Sequence, residues 1–214
     1  MFYNKNFDFF SSNTLINQNF TQSERIVIKD RELLSIYSKL DYYFKQISSN
    51  LKLDVGYSKS NYKNIVNNSD LREVKSNNYN YGLELRSGFK GIFNYHFGTK
   101  WTTNEIEASG INNSFTDNVS FLDLSFVFND KFNMQFQMER YFFGNLDKNN
   151  NTYYFLDFDT RYTIKKNKLT LALTGKNLFN TETFRTFSIS DISTSTTEYR
   201  LLKRFVLLKM ECRF

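Results

Sequence analysis

The stretch RFVLLKMECRF, residues 204–214, decides how the rest of the chain is read. Counting back from Phe214 by twos gives Cys212, Met210, Leu208 and Val206, all apolar, while the interleaved Arg213, Glu211 and Lys209 are charged. Alternation with a period of two is strand spacing, because successive side chains of an extended backbone point to opposite faces. One face of this strand meets an apolar medium and the other meets water. Whether that medium is a protein core or a bilayer depends on the other strands.

The same pattern recurs upstream. Leu34, Ile36, Leu40, Tyr42 and Phe44 share a face broken only by Ser38, opposite Ser35, Lys39, Asp41 and Lys45. A tight turn at residues 48–50 leads to Leu51, Leu53, Val55 and Tyr57, set against Lys52, Asp54, Gly56 and Ser58, which is a hairpin. Tyr79, Tyr81, Leu83 and Leu85 then oppose Asn80, Gly82, Glu84 and Arg86. After Ser87 and Gly88, the residues Phe89, Phe93, Tyr95, Phe97 and Trp101 oppose Lys90, Asn94, His96 and Lys100. Leu122, Leu124, Phe126 and Phe128 turn at residues 129–131 into Phe132, Met134, Phe136 and Met138, whose alternates Asn133, Gln135, Gln137 and Glu139 are polar. Tyr154, Leu156, Phe158, Tyr162 and Ile164 oppose Asp157, Asp159 and Arg161, and Leu169, Leu171 and Leu173 follow a turn at residues 165–168. Residues 1–11 alternate weakly, with Tyr3, Phe7 and Phe9 on one side. Residues 12–30, 61–76, 102–117, 144–152 and 178–198 are polar and read as long loops.

These segments predict an all-β, antiparallel transmembrane β-barrel wall of nine or ten up-and-down strands, with short turns alternating with long loops. In outer-membrane barrels the short turns are periplasmic and the long loops external, and that parity places Phe214 on the periplasmic side. Of the 214 residues, 24 are Phe and 14 are Tyr, and none is Pro. Aromatics recur near strand ends, where bilayer girdles sit. The mean hydropathy of −0.53 does not oppose a barrel, whose strands alternate and therefore average to a soluble-looking value. A soluble β-sandwich alternates in the same way, but one of this size would carry Pro and Gly at its turns.

Composition narrows the chemistry. The net charge of +6 is scattered among acids, so nucleic acid is not an expected partner. The single cysteine, Cys212, permits no internal disulfide, and the single histidine, His96, has no second ligand for a metal. No cofactor and no metal are expected. Asp54, Glu84, Arg86, Glu139, Asp157, Asp159 and Arg161 all fall on the polar face as lumen-wall candidates. Carboxylates in a water-filled lumen lack the desolvation that acid or base catalysis uses, so no residue is assigned a catalytic role. Arg140 falls on the apolar face, where a mid-bilayer charge costs about 2–4 kcal/mol. Near the outer end of its strand it can snorkel toward lipopolysaccharide phosphates.

The segment GKNLFN, residues 175–180, resembles the GxNLFN stretch in the penultimate strand of TonB-dependent outer-membrane receptors. In that family a long last loop and a final strand ending in Phe follow it. The wording TFSISD at residues 186–191 is similar to the Bacteroidetes branch. The resemblance rests on Asn177, Leu178, Phe179 and Asn180 and covers the C-terminal barrel half. It implies that residues 1–214 are a single β-barrel segment, the C-terminal part of a larger barrel, lying downstream of a signal peptide, an energy-coupling box and a plug domain. It further implies a Gram-negative outer-membrane location and energised substrate uptake, coupled to TonB only through the missing N-terminal part. Outer-membrane lipid and lipopolysaccharide would surround it. The barrel-assembly machinery would read Val206, Leu208, Met210, Cys212 and Phe214. The substrate stays open among iron chelates, glycans, peptides and vitamins. The alternatives are a stand-alone small porin or structural barrel, and a soluble carbohydrate-binding sandwich.

Overall fold

The structure, a computed structural model, describes residues 1–88, 91–165 and 168–212, with all side chains among them except those of residues 6–9 and 30. The expectations placed on the side chains of Phe7 and Phe9, and on Phe89, Lys90, Arg213 and Phe214, lie outside the described residues. Twelve strands follow one another without an intervening helix among the described residues: β1 (Phe2–Ile16), β2 (Thr21–Phe44), β3 (Ser49–Val66), β4 (Arg72–Ser87), β5 (Phe93–Ala108), β6 (Ile111–Asn129), β7 (Phe132–Phe143), β8 (Thr152–Lys165), β9 (Leu169–Lys176), β10 (Thr183–Ile189), β11 (Thr194–Arg200) and β12 (Phe205–Cys212). The absence of proline removes the residue that most often ends a strand, since proline cannot donate to the ladder.

Ten strands form one sheet in the order β1-β2-β3-β4-β5-β6-β7-β8-β9-β12, each pairing antiparallel with the next, while β10 and β11 form a separate hairpin. Cross-strand register turns the alternation read along single strands into two coherent faces. Tyr42, Leu51, Leu85, Phe97, Leu122, Met138 and Leu156 are successive partners across β2 to β8. The next row is Asp41, Lys52, Glu84, Gly98, Phe121, Glu139 and Phe155. In antiparallel pairs, directly opposed residues lie on the same side, so one face is continuously apolar and the other carries all seven wall candidates. Leu51, Leu53, Val55, Phe132, Met134, Phe136 and Leu171 share the apolar face. Val206, Leu208, Met210 and Cys212 extend it along β12, opposite Gly175, Leu173, Leu171 and Leu169.

The expected loops need correction. Residues 61–76 and 102–117 are mostly strand: β3 runs on to Val66 and β4 starts at Arg72, while β5 and β6 are joined by Ser109 and Gly110 alone. Both turn residues have positive φ, 51° and 78°, which a two-residue hairpin connection requires. Residues 12–30 likewise belong to β1 and β2 apart from a turn at residues 17–20. These extensions are mostly polar, with a few buried apolar side chains such as Val74 and Phe115 among them, and are held side by side by bonds such as Thr103 Oγ1 with Thr116 Oγ1 at 2.9 Å and Asn77 Nδ2 to Glu105 Oε2 at 3.3 Å. A strand wetted on both sides has no apolar alternation to betray it. Residues 144–151 do connect β7 to β8, and most of residues 178–198 belong to the β10–β11 hairpin, which runs on to Arg200.

At its free end β1 curls back, and Asn13 and Thr14 pair in parallel with Ile65 and Val66. Ser11 Oγ donates to Lys63 O at 2.7 Å, and Asn67 N donates to Thr14 O at 2.9 Å.

The sheet buries little within itself. Its accessible surface is 14801 Å², against about 10,400 Å² for a folded monomer of this mass. Among the described residues the buried apolar side chains are Ile28, Val74, Ala108, Phe115 and Tyr153, all at the end of the sheet opposite the turns at residues 45–48 and 129–131. The apolar face itself is open, with Val55 at 57% and Leu208 at 67% exposure.

Candidate functional site

The polar face is a charge-balanced wall. Lys176 Nζ lies 3.1 Å from Asp157 Oδ2 and 3.3 Å from Asp159 Oδ2, and Arg161 Nη2 lies 3.4 Å from Glu211 Oε2. On β2 and β3, Tyr37 OH donates to Asp54 Oδ1 at 3.0 Å, and Lys39 approaches the same carboxylate at 3.5 Å. His96 sits between Glu84 at 3.4 Å and Asp123 at 3.7 Å, its ring edge-on to Phe121. Arg86 is the register partner of His96, and Glu139 accepts from Tyr141 OH at 3.0 Å. The seven wall candidates thus divide into two groups, one around β8, β9 and β12 and one around β2 to β7. Most of these pairs are partly solvated, so each contributes about 0–1 kcal/mol. Among the described residues no group of three or more His, Cys, Asp or Glu side chains is placed to hold a metal ion.

The second group borders a cavity of about 560 Å³ lined by Tyr37, Asp54, Asn80, Gly82, Glu84, Lys100 and Phe121. Gly82 on β4 lines it, and glycines on the two neighbouring strands seat two of its aromatic side chains. A Cβ on Gly56 would lie 3.3 Å from the Tyr37 ring, and one on Gly98 would lie 2.8 Å from the Phe121 ring, so each aromatic side chain fills space that a side chain would deny it. A Cβ on Gly82, between them on β4, would meet nothing nearer than 3.7 Å. Asp54 and Lys100 flank that glycine. Sequence reasoning treated these glycines as ordinary polar-face positions. Their clustering on adjacent strands, in a chain with only 8 Gly, was the signal available.

The far end of the polar face is covered by the β10–β11 hairpin, and the GKNLFN segment builds its hinge. Asn177 and Asn180 adopt positive φ, 51° and 58°, which asparagine tolerates better than other non-glycine residues. The Asp157 carboxylate accepts the Asn177 N–H at 2.8 Å. Asn177 Nδ2 donates to Thr181 O at 2.8 Å and to Leu202 O at 2.9 Å, joining the outgoing and returning chains, and Arg204 N donates to Asn180 Oδ1 at 3.1 Å. Phe179 stacks edge-on against Tyr154 on the apolar face, and Leu178 N donates to Leu156 O at 2.9 Å.

From that hinge the hairpin crosses the sheet. Phe184 packs against Tyr141, Phe143, Tyr153 and Phe155, all polar-face positions, and Phe187 meets Phe115 edge-on. At its tip Asp191 Oδ2 accepts from Arg72 Nη2 at 2.8 Å and from Asn64 Nδ2 at 2.6 Å. The Arg72 and Asp191 side chains are only 20% and 14% exposed. Burial, with the Asp191 carboxylate adding to it, pushes the Tyr62 hydroxyl up to about 12. The segment read as a free loop is a strap fastened at both ends.

Arg140 keeps its expected place on the apolar face, opposite Ser120 and Tyr154. Its Nη1 donates to Asn118 Oδ1 at 2.8 Å, and its guanidinium lies 5.7 Å from the Phe142 ring centre. Asn118, 1% exposed, also donates to Thr99 Oγ1 at 2.8 Å, so the arginine is turned into a polar notch on the sheet. No protein-family model, curated protein or solved structure matches this chain.

Proposed function

We propose that the chain is the C-terminal β-barrel part of a TonB-dependent receptor in a Gram-negative outer membrane, a non-catalytic element of an energised uptake protein. The observation that carries this reading is the exposed apolar face, continuous across the sheet and confined to the ends of the strands next to the turns at residues 45–48 and 129–131. On β2, β7 and β8 it occupies 11-residue segments, residues 34–44, 132–142 and 154–164. Eleven residues span about 36 Å along a strand, or about 25 Å across a bilayer at 45° tilt. Phe128, Phe132 and Tyr162 stand at one border of that band and Tyr57, Tyr79, Tyr81 and Trp101 at the other, as ring pairs across neighbouring strands. These are the positions of aromatic girdles. The GKNLFN hinge, followed by a strap over the polar face and a last strand, supports the receptor reading within the barrel class. In that setting the wall faces the lumen, and β12 is the strand the assembly machinery engages.

Single cysteines introduced at residues 53, 55 and 136, with Cys212 replaced by serine, should react with a lipid-phase thiol reagent in reconstituted vesicles. Cysteines at residues 54 and 135 should react with a water-soluble one. A monomer that remains in solution without detergent would overturn the membrane reading. The even number of strands in the main sheet favours the alternative of a stand-alone small barrel. A heat-modifiable band from these 214 residues alone would select it over the receptor segment.

A further inference from the structure

We propose that a second cavity, at the end of the polar face away from the apolar band, binds a phosphate monoester carried on a small organic group. β2 and β3 stop pairing at Glu32 and Asn61, and the edge of β3 is taken up again by β1 at Ile65 and Val66. Between those junctions lies a cavity of about 610 Å³, within the range of small-molecule clefts, about 300–1,000 Å³. Its lining carries Arg25, Arg31 and four serines, and no carboxylate. The acids of this part of β2 fall elsewhere. Glu24 and Glu32 occupy the alternate positions, on the other side of the strand, and Glu32 meets Lys5 at 3.4 Å. Lys29 and its register partner Asp8 cancel in the charge count. Asp191, which acts on the Tyr62 hydroxyl in the lining, is already held by Arg72 at 2.8 Å and Asn64 at 2.6 Å.

The hydroxyls are ordered as donors. Thr14 Oγ1 donates to Ser12 Oγ at 3.4 Å, and a hydroxyl has one proton to give, so the 3.1 Å bond between Thr14 and Ser23 takes its proton from Ser23. The chain therefore runs from Ser23 through Thr14 to Ser12 and leaves the Ser12 proton to point onward. Thr14 is 3% exposed, so water does not interrupt it. Among the described residues the Ser60 hydroxyl has no hydrogen-bond partner and Arg25 no ion-pair partner. Two guanidiniums and free hydroxyl donors suit a ligand that only accepts, through several oxygens and with a charge near that of a dianion. A phosphate monoester meets both conditions, with three acceptor oxygens and a charge of about −1.5 to −2 at neutral pH. A carboxylate or a sulfate ester brings a single charge. Phe10, also in the lining and exposed, offers a ring to the organic part. This end of the sheet lies beyond the apolar band, so the inference holds whichever medium covers that band and fails independently of the membrane reading.

The test is isothermal titration of the full chain, in a neutral phosphate-free detergent, with phenyl phosphate above its second ionisation, about pH 6. Phenyl sulfate is the singly charged comparison. Phenyl phosphate should bind with a Kd of about 1 mM or tighter, and about fivefold or more tighter than phenyl sulfate. Arg25→Gln, at an exposed side chain, should weaken binding about tenfold while leaving the strand circular-dichroism spectrum intact. Lys59→Gln removes the same charge from the other side of β3, where Lys59 is the partner of Leu34, and should leave binding unchanged. Ser60→Ala should weaken it about threefold and stands in if Arg25→Gln does not fold. Phosphatidic acid added to the micelles separates two sources of the ester: competition with phenyl phosphate marks a lipid headgroup, and no competition marks a soluble molecule. Absence of phenyl phosphate binding, equal affinity for phenyl sulfate, unchanged binding in either folded cavity variant, or an equal loss in Lys59→Gln would overturn the proposal.

Discussion

The two ends of the sheet are built differently. Next to the short turns, each strand has one apolar and one polar face, and almost nothing is buried within the chain. At the other end apolar and polar residues no longer alternate by face, and there lie the buried side chains Ile28, Val74, Ala108 and Phe115, the β1 end paired with β3 and the fastened strap. One end relies on an external medium for its apolar surface and the other makes its own interior. The consequence is two sources of stability that can be broken separately.

The largest contrast is expected within the apolar band. Phe136→Lys should cost about 2–4 kcal/mol of stability in a bilayer, whereas Gln135→Lys, one residue away on the wet face, should cost under about 0.5 kcal/mol. Urea titration of the two variants in vesicles measures the difference, and equal effects would break the two-faced description of this end.

At the other end, Asp191→Ala should loosen the strap. It leaves Arg72 and Asn64 without their carboxylate partner in a largely desolvated place, at a cost of about 2 kcal/mol once partial exposure is discounted from the buried-pair range. Hydrogen exchange should then rise at β10 and β11 and stay unchanged in β7. Uniform acceleration across the sheet would mean the two ends are not separable.

The hinge should respond more modestly. Asn177→Ala removes the side-chain bonds to Thr181 on the outgoing chain and Leu202 on the returning one and puts a less tolerant residue at φ 51°, for a loss of about 1–2 kcal/mol. Asn177→Gly, which suits the backbone angle, should recover part of it. If the two variants are equally damaged, the side-chain bonds alone matter.

The smallest effect is a pH dependence confined to the far end. Burial raises the Asp117 carboxyl above its ordinary range, with the Gly144 N–H pulling the other way. A carboxyl raised on folding binds its proton more tightly in the folded state, so stability is greatest where it is protonated. Stability then declines as pH climbs from the ordinary carboxylate value to the raised one. Asp117→Asn, which can still accept the Gly144 N–H, should flatten that decline, read as the pH dependence of exchange at residues 115–118. A steeper decline in the variant would reverse the sign argued here.

Legibility followed the same division. Leu51 through Tyr57 and Phe132 through Met138 announced themselves because alternate residues meet media of opposite polarity. Asn77, Asn78 and Thr103 are just as firmly in strands, yet their neighbours on both faces are polar, so nothing alternates and the segments read as loops. The wall candidates were legible as a face but not as groups: Asp157 and Asp159 meet Lys176, while Asp54 and Glu84 meet the cavity. Tyr37 and Phe121 were missed because an aromatic on a wet face looks like an irregularity until the glycine beside it is known to be its seat.

By itself, then, the sequence determined the strand class and the face each band residue occupies. Both are written in a short-range pattern, the polarity of the medium on each side, whereas GKNLFN reads as part of the penultimate strand and the structure ends that strand at Lys176 and turns the chain at Asn177. Only the tertiary structure decided that residues 178–200 cross the polar face, that Asp191 reaches Asn64 from 127 positions away, and that Tyr37 seated on Gly56 and Phe121 seated on Gly98 border one cavity. Those outcomes depend on strand register and on how the chain closes over itself. A pattern of period two repeats the same local information at every register and cannot choose among them.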